Sequence, residues 1–160
     1  MCLACGLCCN GVIFGDLKLQ AGDVAARLRS LDVPVSAGKF LQPCPAWQKC
    51  QCRIYSDRPA HCQHFECLLL KDLKSEQVSL AEALLIVRRA QRKISKVECL
   101  LRDLGEVEGG LDLHARFRRL TARVEASPLK KQQAVVYGRL TVAFHKLDQM
   151  LRASFYRSDY

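Results

Sequence analysis

Four cysteines fall within the first nine residues, Cys2, Cys5, Cys8 and Cys9, in the spacing C-x-x-C-x-x-C-C. Five more follow at Cys44, Cys50, Cys52, Cys62 and Cys67, and only Cys99 lies beyond them. A thiolate is first of all a metal ligand or a redox centre. A two-residue gap lets the chain curl so that both sulfurs reach one ion, and Gly6 gives that curl conformational freedom. Adjacent Cys8 and Cys9 point apart in most backbone conformations, so they serve two centres or only one of them ligates. The opening run matches the start of many iron–sulfur ligand sets, and Cys44-Pro45 has the form that often completes them. Zinc uses the same thiolates in tetrahedral fours, so eight cysteines can make two closed sites. Ligand softness does not separate the two metals. A disulfide framework is the weaker reading, given the tight pairs and the adjacent cysteines.

Other residues near these cysteines have plainer readings beside the chemical one. His61 and His64 flank Cys62; with many thiols at hand they are expected to support ligands or face solvent. Arg58 is placed to donate to a sulfur or to a backbone carbonyl, or simply to be solvated. Trp47 and Tyr55 are expected to pack over the cluster and limit water. Cys50 reads equally as a spare ligand or a bystander, and Cys99 as an inert thiol. His114 and His145 read as ordinary helical residues.

Several elements must position these groups. Residues 1–11 form the first ligand loop, closed by the turn pair Asn10-Gly11. Val12 to Leu19 reads as a short strand, and Ala21 to Leu31 as a short amphipathic helix. Proline and glycine make the stretch from Pro34 to Cys52 irregular. Asp57-Arg58-Pro59 reads as a helix entry with Asp57 as cap. That helix carries Cys62 toward Leu70, with a break expected near His64-Phe65, because Cys62 and Cys67 otherwise fall on different faces. Ser79 and Glu82 form a capping box ahead of a helix over 79–104, whose seam is Val87, Ala90, Ile94, Val97, Leu101 and Leu104, with Gly105 as its stop. A second helix is expected from Asp112 to Glu125. A third is expected from Ser127-Pro128 onward, with Leu129, Val136, Leu140, Ala143, Leu147 and Met150 as its stripe. The first and third are expected to pack antiparallel.

With 49% hydrophobic and 26% charged residues, the 160-residue chain can build an ordinary packed core. No apolar run approaches bilayer length. The start lacks a basic region followed by an apolar one, so no signal peptide and a cytoplasmic location are expected. The formal charge is +9. Eight thiolates would offset most of that, which weakens a nucleic-acid reading. The basic residues Arg88, Arg89, Arg92, Lys93 and Lys96, with Arg116, Arg118, Arg119 and Arg123, read by default as a solvated face. Sparse aromatics there argue against a single-strand stacking platform. There is no glycine-rich nucleotide loop and no nucleophile motif.

The run Cys2 to Cys9, then Cys44-Pro45, then Cys52-Arg53-Ile54-Tyr55-Ser56-Asp57-Arg58-Pro59-Ala60-His61-Cys62, then Phe65-Glu66-Cys67, resembles the CxxCxxCC cysteine-cluster family, the YkgJ-like zinc- or iron-chelating domain. The resemblance covers about residues 2–67. It implies metal binding through Cys2, Cys5, Cys8, Cys9, Cys44, Cys52, Cys62 and Cys67, with Cys50 and Cys99 off the pattern. Some relatives are flagellin lysine methylases, but the helical half matches nothing that would carry that activity over. The expected fold is mainly α, with an irregular cysteine-rich half (1–73) holding one or two short strands and a three-helix half (74–160). The expected function is holding zinc or an iron–sulfur cluster, in a structural or electron-transfer role. Two alternatives stand beside it: a cluster-dependent enzyme, and an adaptor using the basic helices. The expected partners are metal ions, with a protein partner or homodimer through the long helices as a further option and nucleic acid less favoured.

Overall fold

The computed structural model describes residues 1–48, 51–107 and 110–156. Cys50 lies outside the described residues. The chain divides into a cysteine-rich unit, residues 2–66 and 109–115, and a helical unit built from 67–108 and 116–160.

The cysteine-rich unit holds three short helices, α1 (Cys2–Cys5), α2 (Ala25–Arg29) and α3 (Ala60–His64). Its four short strands are β1 (Asp16–Lys18), β2 (Lys39–Leu41), β3 (Trp47–Gln48) and β4 (Gln51–Cys52). β1 pairs antiparallel with β2, with Leu17 opposite Phe40. β3 pairs antiparallel with β4, with Trp47 opposite Cys52. A core of Leu17, Leu28, Val33, Val35, Phe40, Ala46 and Ile54 lies behind these elements, and Cys44, Cys52 and Cys62 pack against it. Burial of that many apolar side chains is what makes such short strands hold. Residues 110–115 complete the unit. Leu113 N donates to Gly11 O at 2.9 Å, and a Cβ at Gly15 would stand 2.8 Å from Asp112 Oδ2.

Three expected elements differ here. The strand read over Val12 to Leu19 shrinks to Asp16–Lys18, because only those residues find a partner strand. The helix read over Ala21 to Leu31 shrinks to Ala25–Arg29, with Gly22 at φ +94° and Asp32 at φ +61° outside its two ends. Asp57 does not cap the helix that carries Cys62. Its carboxylate accepts from Arg27 Nε and Nη2 at 3.2 and 3.0 Å. The cap comes instead from Asp23, whose Oδ1 accepts from Ala60 N at 2.8 Å.

The helical unit contains α4 (Leu68–Lys74), α5 (Leu80–Asp103), most of α6 (Leu113–Ala126) and α7 (Lys131–Ser154). Ser79 and Glu82 form the capping box at the start of α5, and Gly105, at φ +74°, ends it. All six expected seam residues of α5 are buried. At 24 residues this helix is about 36 Å long. α7 starts three residues later than Pro128 suggests. Ser127 N still bonds Arg123 O at the end of α6, and Lys130 is extended at φ −60°, ψ 150°. α7 buries Leu140, Ala143, Leu147 and Leu151. It runs antiparallel to α5: Met150, late in α7, stands with Arg92 and Lys93 of mid-α5. Early in α7, Tyr137 Oη donates to Thr121 Oγ1 of α6, and Arg123 of α6 donates to Leu104 O just past the end of α5.

The loop after α5 is pinned by Glu106, which is 2% exposed. Its Oε1 accepts from both Nε and Nη2 of Arg119, and Arg123 Nη1 stands 3.6 Å from Oε2. Arg116 Nη2 donates to Glu106 O at 3.4 Å. No helix among the described residues is long and apolar enough to cross a membrane.

Candidate metal centre

Four separate segments carry these cysteines, and those of three, Cys44, Cys52 and Cys62, pack against the core. Gly6, at φ +70°, turns the chain out of α1, and Cys9 N and Asn10 N both donate to Gly6 O at 3.0 and 2.9 Å. The Cys-Pro loop is then tied to this turn, since Cys44 N donates to Cys9 O at 2.8 Å. Cys44 O in turn accepts from Trp47 N at 2.9 Å, and Trp47 is the cross-strand partner of Cys52. Cys62 arrives on α3, whose first N–H is held by Asp23.

The electrostatics record how near these sulfurs are. Burial pushes the Cys9 thiol up to about 12, with further upward contributions from Cys44, Cys62, Cys52 and Cys5. Cys62 is likewise pushed up to about 12, by burial first and then by Cys44 and Cys52, while Arg58 pulls it down. Burial also raises Cys44, and Cys52 adds to that. Backbone N–H groups of Ala46 and Trp47 and the charge of Arg53 oppose the rise. Cys9 therefore lies within electrostatic reach of Cys5, Cys44, Cys52 and Cys62. Sulfurs so placed cannot all ionise without a compensating cation.

The remaining motif cysteines are placed differently. Cys2 is exposed at the start of α1, and Cys8 is half-buried in the turn after Gly6. Cys67 is buried in the helical unit as the residue before α4. Cys99 is exposed on α5. No disulfide joins any of the nine described cysteines. Among the described residues, no three His, Cys, Asp or Glu side chains stand in ready-made ligand geometry.

Neighbouring residues refine the expectations. Trp47 does cover the ligand loop, since a Cβ at Gly6 would collide with its indole. Tyr55 does not; it is 50% exposed, and the Arg58 guanidinium lies 3.7 Å from its ring centroid. Arg58 Nε donates to Tyr55 O at 2.8 Å, so of its expected roles it takes the carbonyl. His64 is exposed. His61 stacks on Phe65 at 5.8 Å and meets the edge of Phe14 at 5.2 Å. Its Nε2 is buried without a hydrogen-bond partner, and burial lowers its pKa. Asp23 was not legible as part of the site, because nothing in its sequence context points 37 residues ahead.

The basic excess is carried by the helical unit. The helical unit carries 18 Lys and Arg against 10 Asp and Glu, whereas the cysteine-rich unit carries 7 against 6. The cysteine-rich unit alone therefore has little net charge to offset its thiolates; Arg53 acts on Cys44 and Arg58 on Cys62.

The family model for CxxCxxCC matches residues 1–99. The chain belongs to the CxxCxxCC family. That family is described as a "putative zinc- or iron-chelating domain". The match takes in every motif cysteine of the first 67 residues and runs on through most of α5. No curated protein and no solved structure matches the chain. The thiol-rich donor set suits either metal named for the CxxCxxCC family, since both take cysteine thiolates.

Proposed function

We propose that this CxxCxxCC protein holds zinc or an iron–sulfur cluster on its clustered thiols, in a structural or electron-transfer role. Cys5, Cys9, Cys44, Cys52 and Cys62 are the gathered donors. Cys2, Cys8 and Cys67 complete the ligand set of the family pattern. The observation that carries this reading is the convergence of half-buried Cys9, Cys44 and Cys62 from three segments: Cys44 and Cys62 raise the cost of ionising Cys9, and Cys44 raises that of Cys62. A bound cation removes that cost and supplies charge that the cysteine-rich unit otherwise lacks.

The residues of the chain have definable parts in this. The Ala46 and Trp47 N–H groups orient and stabilise the Cys44 thiolate. Asp23 fixes the start of the helix that presents Cys62. Trp47 shields the first loop from water. A site closed by sulfur on all sides suits holding or electron transfer; a hydrolytic metal keeps an open position.

The test is metal content after anaerobic purification. One or more metal equivalents per chain are expected, brown for iron–sulfur and colourless for zinc. Cys9→Ser and Cys62→Ser should each lose most of the metal, and Cys99→Ser should retain it. Equal metal content in all three variants contradicts the assignment.

A further inference from the structure

The basic residues of the helical unit are not all available to a partner. Arg116, Arg119 and Arg123 are drawn to Glu106 and to the carbonyls around it. Arg152 is held by Asp148 through Nε at 2.8 Å. Of the basic face, Arg88 and Arg118 stay exposed, and beside them a compact row remains on α5. Arg89, Arg92, Lys93 and Lys96 line one groove of about 540 Å³, and Met150 of α7 is its apolar member. Among the described residues, none of these four cations is in an ion pair. Their spacing of i, i+3, i+4 and i+7 places them on a single helix face within about 10 Å of axial length.

We propose that this groove is a docking site for an acidic amphipathic segment of a partner protein. Charge complementarity is the first argument. Four unpaired cations on one face repel one another, and an incoming row of carboxylates relieves that repulsion. Arginine forks bind carboxylates in a fixed geometry, while the lysines act as point charges. Met150 supplies the second argument. A polarisable, flexible thioether among four charges offers an apolar partner residue something to pack on; a sugar-phosphate backbone gains little from it. The third argument is extent. A row of about 10 Å fits one or two turns of a helical peptide. With Arg116, Arg119 and Arg123 of α6 tied to Glu106 and its neighbouring carbonyls, it does not continue as the long cationic track that nucleic acid requires. Among the described residues no aromatic side chain lines the groove, so they offer single-stranded bases no stacking platform.

The full chain as purified is titrated against a fluorescent helical peptide bearing glutamates at i, i+3, i+4 and i+7 and one leucine. A glutamine counterpart of that peptide and single- and double-stranded oligonucleotides are the comparisons. The acidic peptide should bind at least about tenfold tighter than the glutamine peptide, and binding should weaken with salt. Arg92→Glu with Lys93→Glu should reduce acidic-peptide binding at least about tenfold. Met150→Ala should reduce it by about threefold. Arg139→Glu, exposed on α7 outside the groove, should bind as the parent does. Circular dichroism checks that each variant is folded, and Arg89→Gln with Lys96→Gln gives a second, milder test of the same surface. Equal binding of the two peptides, or undiminished binding by both groove variants, overturns the proposal. Tighter binding of an oligonucleotide that the same variants abolish also overturns it, in favour of nucleic acid.

Discussion

The backbone of Gly6 lies against the indole of Trp47, so close that a Cβ there would stand 2.5 Å from Cζ2 and 3.0 Å from Cε2. Gly6 also sits at φ +70°, a conformation that costs an L-residue about 1 kcal/mol or more. Both demands fall on the one residue between Cys5 and the Leu7-Cys8-Cys9 turn. Gly6→Ala should therefore destabilise the cysteine-rich unit by about 2 kcal/mol or more and lower metal retention. Trp47→Leu in the same background relieves the collision but not the strain, so it should restore only part of the loss. Thermal unfolding and metal content measure both effects, and an unchanged Gly6→Ala variant would contradict this account of the turn.

The raised thiols give a pH dependence with a definite sign. An unfolded cysteine ionises near 9.0, whereas folded, metal-free Cys9 and Cys62 are held up to about 12, chiefly by burial. Between those values the unfolded chain gives up protons that the folded chain keeps. This contribution to stability is present below about pH 9 and is lost as pH rises toward 12. Metal binding needs thiolates and releases their protons, so apparent metal affinity should rise with pH from the acid side. Chelator-stripped, reduced protein should show a falling Tm above about pH 9, while metal-loaded protein should not. A stripped protein that gains stability above that pH contradicts the burial of these thiols.

Glu106 organises the helical unit in the same local way. Its carboxylate is buried, while Arg119 and Arg123 remain about half exposed. Glu106→Gln leaves those guanidiniums access to water, so the loss should fall below the range for a fully buried pair, at about 2 kcal/mol. Denaturant unfolding should register that loss, with metal content per chain unchanged. A variant as stable as the parent would show that the clamp contributes nothing net.

Much of this fold was legible in the sequence where the signals are local. Ser79 and Glu82 are three residues apart, and Gly105 ends an uninterrupted apolar seam, so α5 could be bounded closely. The cysteine spacing announced the family, described as zinc- or iron-chelating. What escaped was held by distant partners. β1 is short because only Asp16–Lys18 meets Lys39–Leu41, and no local pattern specifies that pairing. Asp57 looked like a cap, but Arg27 takes its carboxylate and Asp23 reaches the helix instead. Ser127-Pro128 has the chemistry of a helix start, yet Ser127 still closes α6. Arg116, Arg119 and Arg123 of α6 read as an open basic face until Glu106 is seen among them.

X-ray absorption at the metal edge of anaerobically purified protein tests the central claim most directly. The predicted result is a sulfur-dominated shell at about 2.3 Å, as thiolate ligation of zinc requires and as a sulfur-bound iron site would also give. A shell of nitrogen and oxygen at about 2.0–2.1 Å, or the absence of any bound metal, would contradict it.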